Sequence, residues 1–236
     1  MKDPIYLNDM YLKEFISTVK SVDEENHVYL DQTAFYPRSG GVDGDQGELI
    51  RKNDGKSFMV ILTGKKQGEI YHQVNNSGLH KGDKIIGKLD WARRYELMRY
   101  HTAAHVLSGV FWHEGQVKIT GNNLEVGKGR IDFNFPNFDR GLVEHFVEKA
   151  NEYIRQDLPV TVYYISRQEL DSDPNMTKLA MGLPKSIKNV RIVDITIDKQ
   201  PDGGCHVKSL GEIGTIQITN IKNKGKNNRR LYFTLI

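Results

Sequence analysis

Between Trp91 and Phe111 the chain has no proline and a single glycine, Gly109, and apolar residues recur at Leu97, Met98, Val106 and Leu107. That pattern predicts a helix. The helix separates a β-patterned first part, residues 1–90, from a mixed second part, residues 91–236. On it His101 and His105 stand at i and i+4, so both imidazoles project from one face. Such a pair holds a metal like zinc once one or two further ligands join it; two ordinary helix histidines would read the same way. The residue after His101 is Thr102, where the usual metalloprotease helix carries a glutamate general base, and this disfavours a protease of that kind.

Further ligands are offered far downstream. Gln200-Pro201-Asp202-Gly203-Gly204-Cys205-His206-Val207 carries the chain's one cysteine beside a histidine and after two glycines. Glycine permits backbone angles that other residues avoid, so such a turn can bring short side chains to an ion. The plainer alternative is a Gly-rich turn between strands with an incidental thiol. Together the two stretches offer His101, His105 and His206, with Asp202 or Cys205 beside them. Three protein ligands with one open position make a catalytic zinc site, and four closed ligands make a structural one.

The first 90 residues read as strands. Tyr6–Val19 is a first element of undecided type, His27–Asp31 alternates as a strand, and short strands follow at Phe58–Leu62, Ile70–Val74 and Lys84–Leu89. Between them, Thr33–Gly47 carries Gly40, Gly41, Gly44 and Gly47, a density that demands a loop with unusual backbone angles. That loop is either a long hairpin turn or a backbone surface for a phosphate or a nucleotide end. Short strands with glycine turns suggest a small barrel.

Past the first helix, Val117–Leu124 and Lys128–Phe135 pair as strands, and Phe138–Arg155 is an amphipathic helix with Leu142, Phe146, Val147, Ala150 and Ile154 at helical spacing. Val160–Ile165 is a strand, Ser166–Leu170 starts a short helix, and Val190–Ile197 is a strand leading into the Cys205-His206 turn. Ile213–Thr219 and Arg230–Leu235 close as a hairpin over a basic tip. The expected fold class is α+β: a small N-terminal β-barrel over 1–90, then an α+β domain over 91–236 with helices on an antiparallel sheet.

Composition narrows the function. A net charge of +3 is too small to establish a polyanionic partner, and no run of apolar residues is long enough for a membrane helix. One cysteine excludes an intrachain disulfide and fits a reducing, cytoplasmic setting, and no signal peptide is read at the start.

Four motifs then converge. Trp91-Ala92-Arg93-Arg94 leading to His101-Thr102-Ala103-Ala104-His105-Val106-Leu107 resembles the start of the editing domain of alanyl-tRNA synthetase. Gly203-Gly204-Cys205-His206-Val207 followed by Gly211-Glu212-Ile213-Gly214 resembles that domain's second metal-binding segment, and Lys224–Arg230 its closing basic hairpin. Thr33-Ala34-Phe35-Tyr36-Pro37 with Gly40-Gly41 and Asp45-Gln46-Gly47 is similar to the Gly-rich segment that precedes it. Order and spacing match across nearly the whole chain, and nothing resembles an aminoacylation domain. The chain thus resembles the free-standing alanyl-tRNA editing proteins, AlaX, of medium length. Two departures stand out: Asp202 occupies the position of the family's usual ligand cysteine, with Cys205 at the threonine position, and Ser39-Gly40-Gly41-Val42 replaces a commoner Gly-Gly-Gln.

The resemblance implies a zinc-dependent deacylase, one zinc per chain, that hydrolyses the ester of tRNA(Ala) mischarged chiefly with serine, glycine being the second candidate. The alternative is a non-catalytic tRNA-binding module that retains the fold. The metal would be held by His101, His105 and His206, with Asp202 or Cys205 as the fourth ligand, and would either activate water or hold the substrate. Thr102 and Thr33 are candidates for contact with the serine hydroxyl. Gly40, Gly41, Arg93, Arg94, Lys224, Lys226, Arg229 and Arg230 are the candidate tRNA contacts, with Arg99 and Lys222 as further cations. The protein is expected to act as a monomer or weak dimer, away from membranes.

Overall fold

The computed structural model describes residues 3–135, 139–173, 176, 187–225 and 227–236. The chain forms two compact units, Met1–Leu97 and Met98–Ile236.

The first unit is a closed antiparallel barrel of six strands: β1 (Glu14–Val22), β2 (His27–Leu30), β3 (Gly47–Arg51), β4 (Ser57–Lys66), β5 (Glu69–Val74) and β6 (Lys84–Leu89). They close in the order β1-β2-β5-β4-β3-β6. Closure removes the unpaired edges that an open sheet would present. Alternation fills the interior: along β1, Phe15, Ser17 and Val19 are buried while Ile16 faces out. Phe15, Val28, Phe35, Leu49, Phe58, Val60, Val74 and Ile85 form the core. Gly87 is required by this packing, because a Cβ there would lie 2.4 Å from the Phe15 ring. The Tyr6–Val19 stretch resolves into a short 3-10 turn at Ile5–Leu7 and then β1. Strand β3, which follows the glycines directly, is an addition to the strands read from sequence.

Helix α1 (Trp91–Gly115) continues past Gly109. A Cβ at Gly109 would sit 2.9 Å from the Ile197 carbonyl oxygen, so the glycine admits a neighbouring chain and does not end the helix. Every residue from Tyr100 to Phe111 is buried, both site histidines included. A helix buried on all sides shows little amphipathic pattern.

In the second unit β7 (Ile119–Glu125), β8 (Lys128–Asn134), β12 (Ile216–Asn223) and β13 (Asn228–Leu235) make a four-stranded antiparallel sheet in the order β12-β13-β8-β7. Helix α2 (Arg140–Arg155) is capped by Asp139, whose side chain accepts the Leu142 N–H at 2.9 Å. It buries Ala150 together with Val143, Phe146, Val147 and Ile154, each of these four larger apolar side chains worth about 1.5–3 kcal/mol on burial. Asn151 fixes the helix to the Ile216 backbone, accepting its N–H at 2.8 Å and donating to its carbonyl at 3.0 Å. The rings of Phe111 and Phe133 stack at 4.3 Å, with Phe146 edge-on to Phe111. A second, three-stranded sheet has the order β11-β10-β9, from β9 (Thr161–Ser166), β10 (Asn189–Asp194) and β11 (Lys199–Pro201), with helix α3 (Arg167–Ser172) following β9. The barrel followed by helices and antiparallel sheets agrees with the α+β expectation. No described helix is long and apolar enough to cross a membrane.

Candidate metal centre

Helix α1 and the turn after β11 bring four side chains together. His101, His105, Asp202 and His206 offer ligand atoms all within 4.8 Å of one another. His101 and His105 share a helix face one turn apart, as their spacing predicts. The imidazoles pack closely: His101 stacks on His206 at 4.2 Å between ring centroids, and His105 meets His206 edge-on at 4.8 Å.

The three Nε2 atoms converge on one carboxylate. Asp202 Oδ2 lies 3.5 Å from His101 Nε2 and 3.7 Å from His105 Nε2, and Asp202 Oδ1 lies 3.2 Å from His206 Nε2. Ligands in a tetrahedral zinc shell with bonds near 2.05 Å stand about 3.3 Å apart, so these separations suit a shared ion. Nδ1 of His101 is buried without a hydrogen-bond partner, a feature that a structure tolerates at a site built for another purpose. The donor set and its spacing fit a metal such as zinc.

The electrostatics describe the cluster without an ion. Burial opposes charge on Asp202, yet the neighbouring His101 and the interactions with His105 and His206 hold its carboxyl well below the usual range. Burial likewise disfavours charge on His105, but Asp198 and Asp202 raise its pKa to about 9. Burial and the charge of His101 push His206 far down. One carboxylate thus sits among imidazoles that cannot all be charged at once.

The other ring nitrogens are addressed individually. His206 Nδ1 is 3.2 Å from Thr102 Oγ1. That hydroxyl donates to the Met98 carbonyl at 2.9 Å and accepts the Val207 N–H at 3.3 Å. With its proton committed to Met98, Oγ1 serves His206 as an acceptor, which sets the tautomer that leaves the Nε2 lone pair facing Asp202. His105 Nδ1 lies 3.2 Å from Asp198 Oδ2, a close charge partner approached off the line of a hydrogen bond. Sequence reasoning missed Asp198. Its signal is faint: an acidic residue directly after Ile195-Thr196-Ile197 and just before β11, which the fold buries to 1% exposure.

Beneath the turn, Arg191 on β10 donates from Nη1 to the carbonyls of Asp202 at 2.8 Å and Gly204 at 3.1 Å. The Gly204 N–H donates to Asp202 Oδ1 at 2.5 Å. Neither Gly203 nor Gly204 has a positive φ. The physical reason for glycine at 204 is space, since a Cβ would lie 2.3 Å from His101 Cε1. Cys205 is buried and stands outside the ligand group.

Most of the remaining candidates have partners within their own unit. In the barrel unit, Thr33 Oγ1 is 2.8 Å from His72 Nε2 and accepts the Phe35 N–H. His72 Nδ1 donates to the Val28 carbonyl, so the Thr33 proton goes to His72 Nε2. Gly40 and Gly41 adopt φ of 60° and 80° in a tight turn closed by backbone bonds between Ser39 and Val42. Arg93 pairs with Asp43 and donates to the Gly44 carbonyl at 2.9 Å, and the buried Arg94 pairs with Asp45 and donates to Met10 and Ala34 carbonyls. Both arginines thereby hold the Gly-rich loop.

In the second unit Arg99 donates to the Ile213 carbonyl. Arg230 makes a two-armed pair with Asp132, 2.7 Å on each arm, and the buried Arg229 donates to Gly225 and Asn228 carbonyls. Lys222 and Lys224 are exposed, and Lys226 lies outside the described residues. A second group of possible ligands, Asp23, Glu25 and His27, has Lys66 3.7 Å from both carboxylates, a cation that offsets one of their two charges.

Comparison with known proteins agrees with this architecture. Residues 6–93 match the family model for class II (A) tRNA synthetases, and residues 190–232 match that for the threonyl and alanyl tRNA synthetase second additional domain. The alanyl-tRNA editing proteins AlaX-M of Methanosarcina barkeri and Methanosarcina acetivorans are each 43% identical over the full length of both chains. The AlaX-M of Saccharolobus solfataricus is 39% identical over all of this chain and 99% of its own. Barrel, second unit and histidine cluster thus stand in a chain that these relatives match end to end, and the chain belongs to the AlaX family of alanyl-tRNA editing proteins.

Proposed function

We propose that this protein is a zinc-dependent deacylase, with one zinc per chain, that hydrolyses the ester joining serine to tRNA(Ala) and leaves alanyl-tRNA(Ala) largely intact. The observation that carries the reading is the convergence of three imidazole Nε2 atoms on Asp202 in a chain matched end to end by proteins named for alanyl-tRNA editing. His101, His105, His206 and Asp202 would hold the ion, which would take water or a substrate group as a fifth ligand, the expansion that catalytic zinc allows in the transition state. When bound, zinc supplies Lewis acidity, either lowering the pKa of water toward about 7 or fixing the substrate's polar groups.

The chain's own residues do the positioning. Thr102 holds the His206 ring in the tautomer that presents Nε2, and Asp198 faces the far nitrogen of His105. Oriented rings keep the donors in place and confine the reacting ester to one approach.

Selectivity follows from unpaired polar groups. Serine differs from alanine by one hydroxyl, and a buried site that pairs with it loses that pairing when alanine enters. Glycine differs from alanine by one methyl, so it is separated only by shape and ranks below serine.

The test is to charge one tRNA(Ala) with serine, glycine or alanine and follow release of each, alongside metal analysis of protein prepared without chelator. Serine release well ahead of alanine with about one zinc per chain supports the proposal. Equal rates for serine and alanine refute selectivity, and no release from any of them favours a non-catalytic tRNA-binding module.

A further inference from the structure

We infer that Asp202 supplies the oxygen ligand of a thiolate-free centre of three nitrogens and one oxygen, which accepts Co2+, Fe2+ and Mn2+ beside Zn2+. The inference rests on the metal reading proposed above and goes further, to the donor set and the class of ion it takes.

The placement of Asp202 is built by its neighbours. Gly204 N–H holds Oδ1 at 2.5 Å, and Arg191 holds the Asp202 and Gly204 carbonyls from below. With Oδ1 pinned, Oδ2 is left between His101 and His105, 3.5 and 3.7 Å from their Nε2 atoms. A cysteine at position 202 would offer the ion its one sulfur and leave the Gly204 N–H without the oxygen acceptor that Oδ1 now provides. Cys205 precedes His206 directly. Adjacent residues direct their side chains differently, and its thiol falls outside the group of converging ligand atoms.

Donor softness then sets the choice of metal. Thiolate favours zinc and other soft ions, imidazole suits zinc, iron, copper and nickel, and carboxylate suits harder ions such as manganese. Oxygen in place of sulfur preserves the single negative charge of the site while removing its bias toward soft ions. Among the remaining ions affinity follows the general order from Mn2+ up to Cu2+, and availability decides the occupant.

The experiment is Co2+ titration of the full-length apo protein by absorption spectroscopy, paired with Cd2+/Mn2+ competition. Wild type and Cys205→Ser should show visible ligand-field bands with no near-ultraviolet sulfur-to-cobalt band. Asp202→Cys should gain that band and shift preference toward Cd2+ by about tenfold or more, the scale of single changes around a metal. A sulfur-to-cobalt band in wild type that Cys205→Ser abolishes overturns the assignment while leaving the metal reading standing. Failure of wild type to take up either Co2+ or Zn2+ overturns the metal reading itself, and the assignment with it.

Discussion

Asp198 and His105 lie 3.2 Å apart, carboxylate to Nδ1, while the other nitrogen of the same ring looks toward Asp202 at 3.7 Å. The imidazole is therefore held between two carboxylates, one completely buried and one belonging to the ligand cluster. A carboxylate behind a metal-binding imidazole orients the ring and increases its basicity.

The first prediction is that Asp198→Asn weakens zinc binding about 10- to 100-fold, the usual cost of losing such a partner. A chelator competition assay reads it directly. The fold should persist, because asparagine keeps the shape and still accepts from Gln200, its other neighbour. Unchanged affinity would mean that Asp198 serves only the packing of the turn.

Thr102 separates two roles that its position in the helix leaves open. Its hydroxyl meets Met98, His206 and Val207 at once. Thr102→Val should lower both zinc affinity and stability, the latter by about 1–3 kcal/mol for a buried group deprived of its partner. Thr102→Ser should restore both. A substrate-reading role would instead collapse the preference for serine over alanine in Thr102→Val with zinc affinity unchanged.

Much of this is legible in the sequence. The helical spacing of His101 and His105 puts them on a shared face, because period alone fixes it. Val28, Phe58 and Ile85, in the short strands separated by glycine turns, announce a barrel, whereas the Tyr6–Val19 stretch that holds Phe15 reads as undecided. What stays hidden depends on the third dimension. Gly204 looks like a flexible turn residue, yet it is glycine because His101 lies against it. Asp198 has no spacing relation to His105 that a sequence displays. Arg93, Arg94 and Arg230 read as surface cations, and each is engaged by an aspartate that only folding brings near: Asp43, Asp45 and Asp132.

The barrel carries its own pH dependence. His72 is fully buried, and desolvation outweighs its bond to the Val28 carbonyl, lowering its pKa from 6.5 to about 4. The unfolded chain binds a proton below about pH 6.5 that the folded barrel refuses. Stability contributed by neutral His72 is present above that pH, is lost as pH falls toward 4, and levels off below. The shift corresponds to about 3 kcal/mol. Hydrogen exchange of barrel amides at pH 7 and pH 4.5 should show this loss, and His72→Gln should flatten it whatever its stability at pH 7. A variant with the same pH slope as wild type would assign the acid sensitivity to other groups.

The basic hairpin yields the last prediction, because its cations are not equivalent. Arg230 is bound to Asp132 on both arms and Arg229 is committed to the backbone of the turn, whereas Lys222 and Lys224 reach solvent. A cation already paired with a carboxylate has little to give a phosphate, since the new bond must first break the old. An exposed lysine releases a counterion from the nucleic acid for each phosphate it meets. If the hairpin meets tRNA, the double variant Lys222→Ala/Lys224→Ala should weaken binding and reduce the salt slope by about 1 for each phosphate left without its lysine. Arg230→Ala should lower the melting temperature and leave that slope nearly unchanged. Binding measured over a range of salt concentrations for the three proteins distinguishes these effects. A slope unchanged in the lysine variant would return the hairpin tip to ordinary solvated surface, and a slope reduced in Arg230→Ala alone would show that the Asp132 pair opens to the RNA.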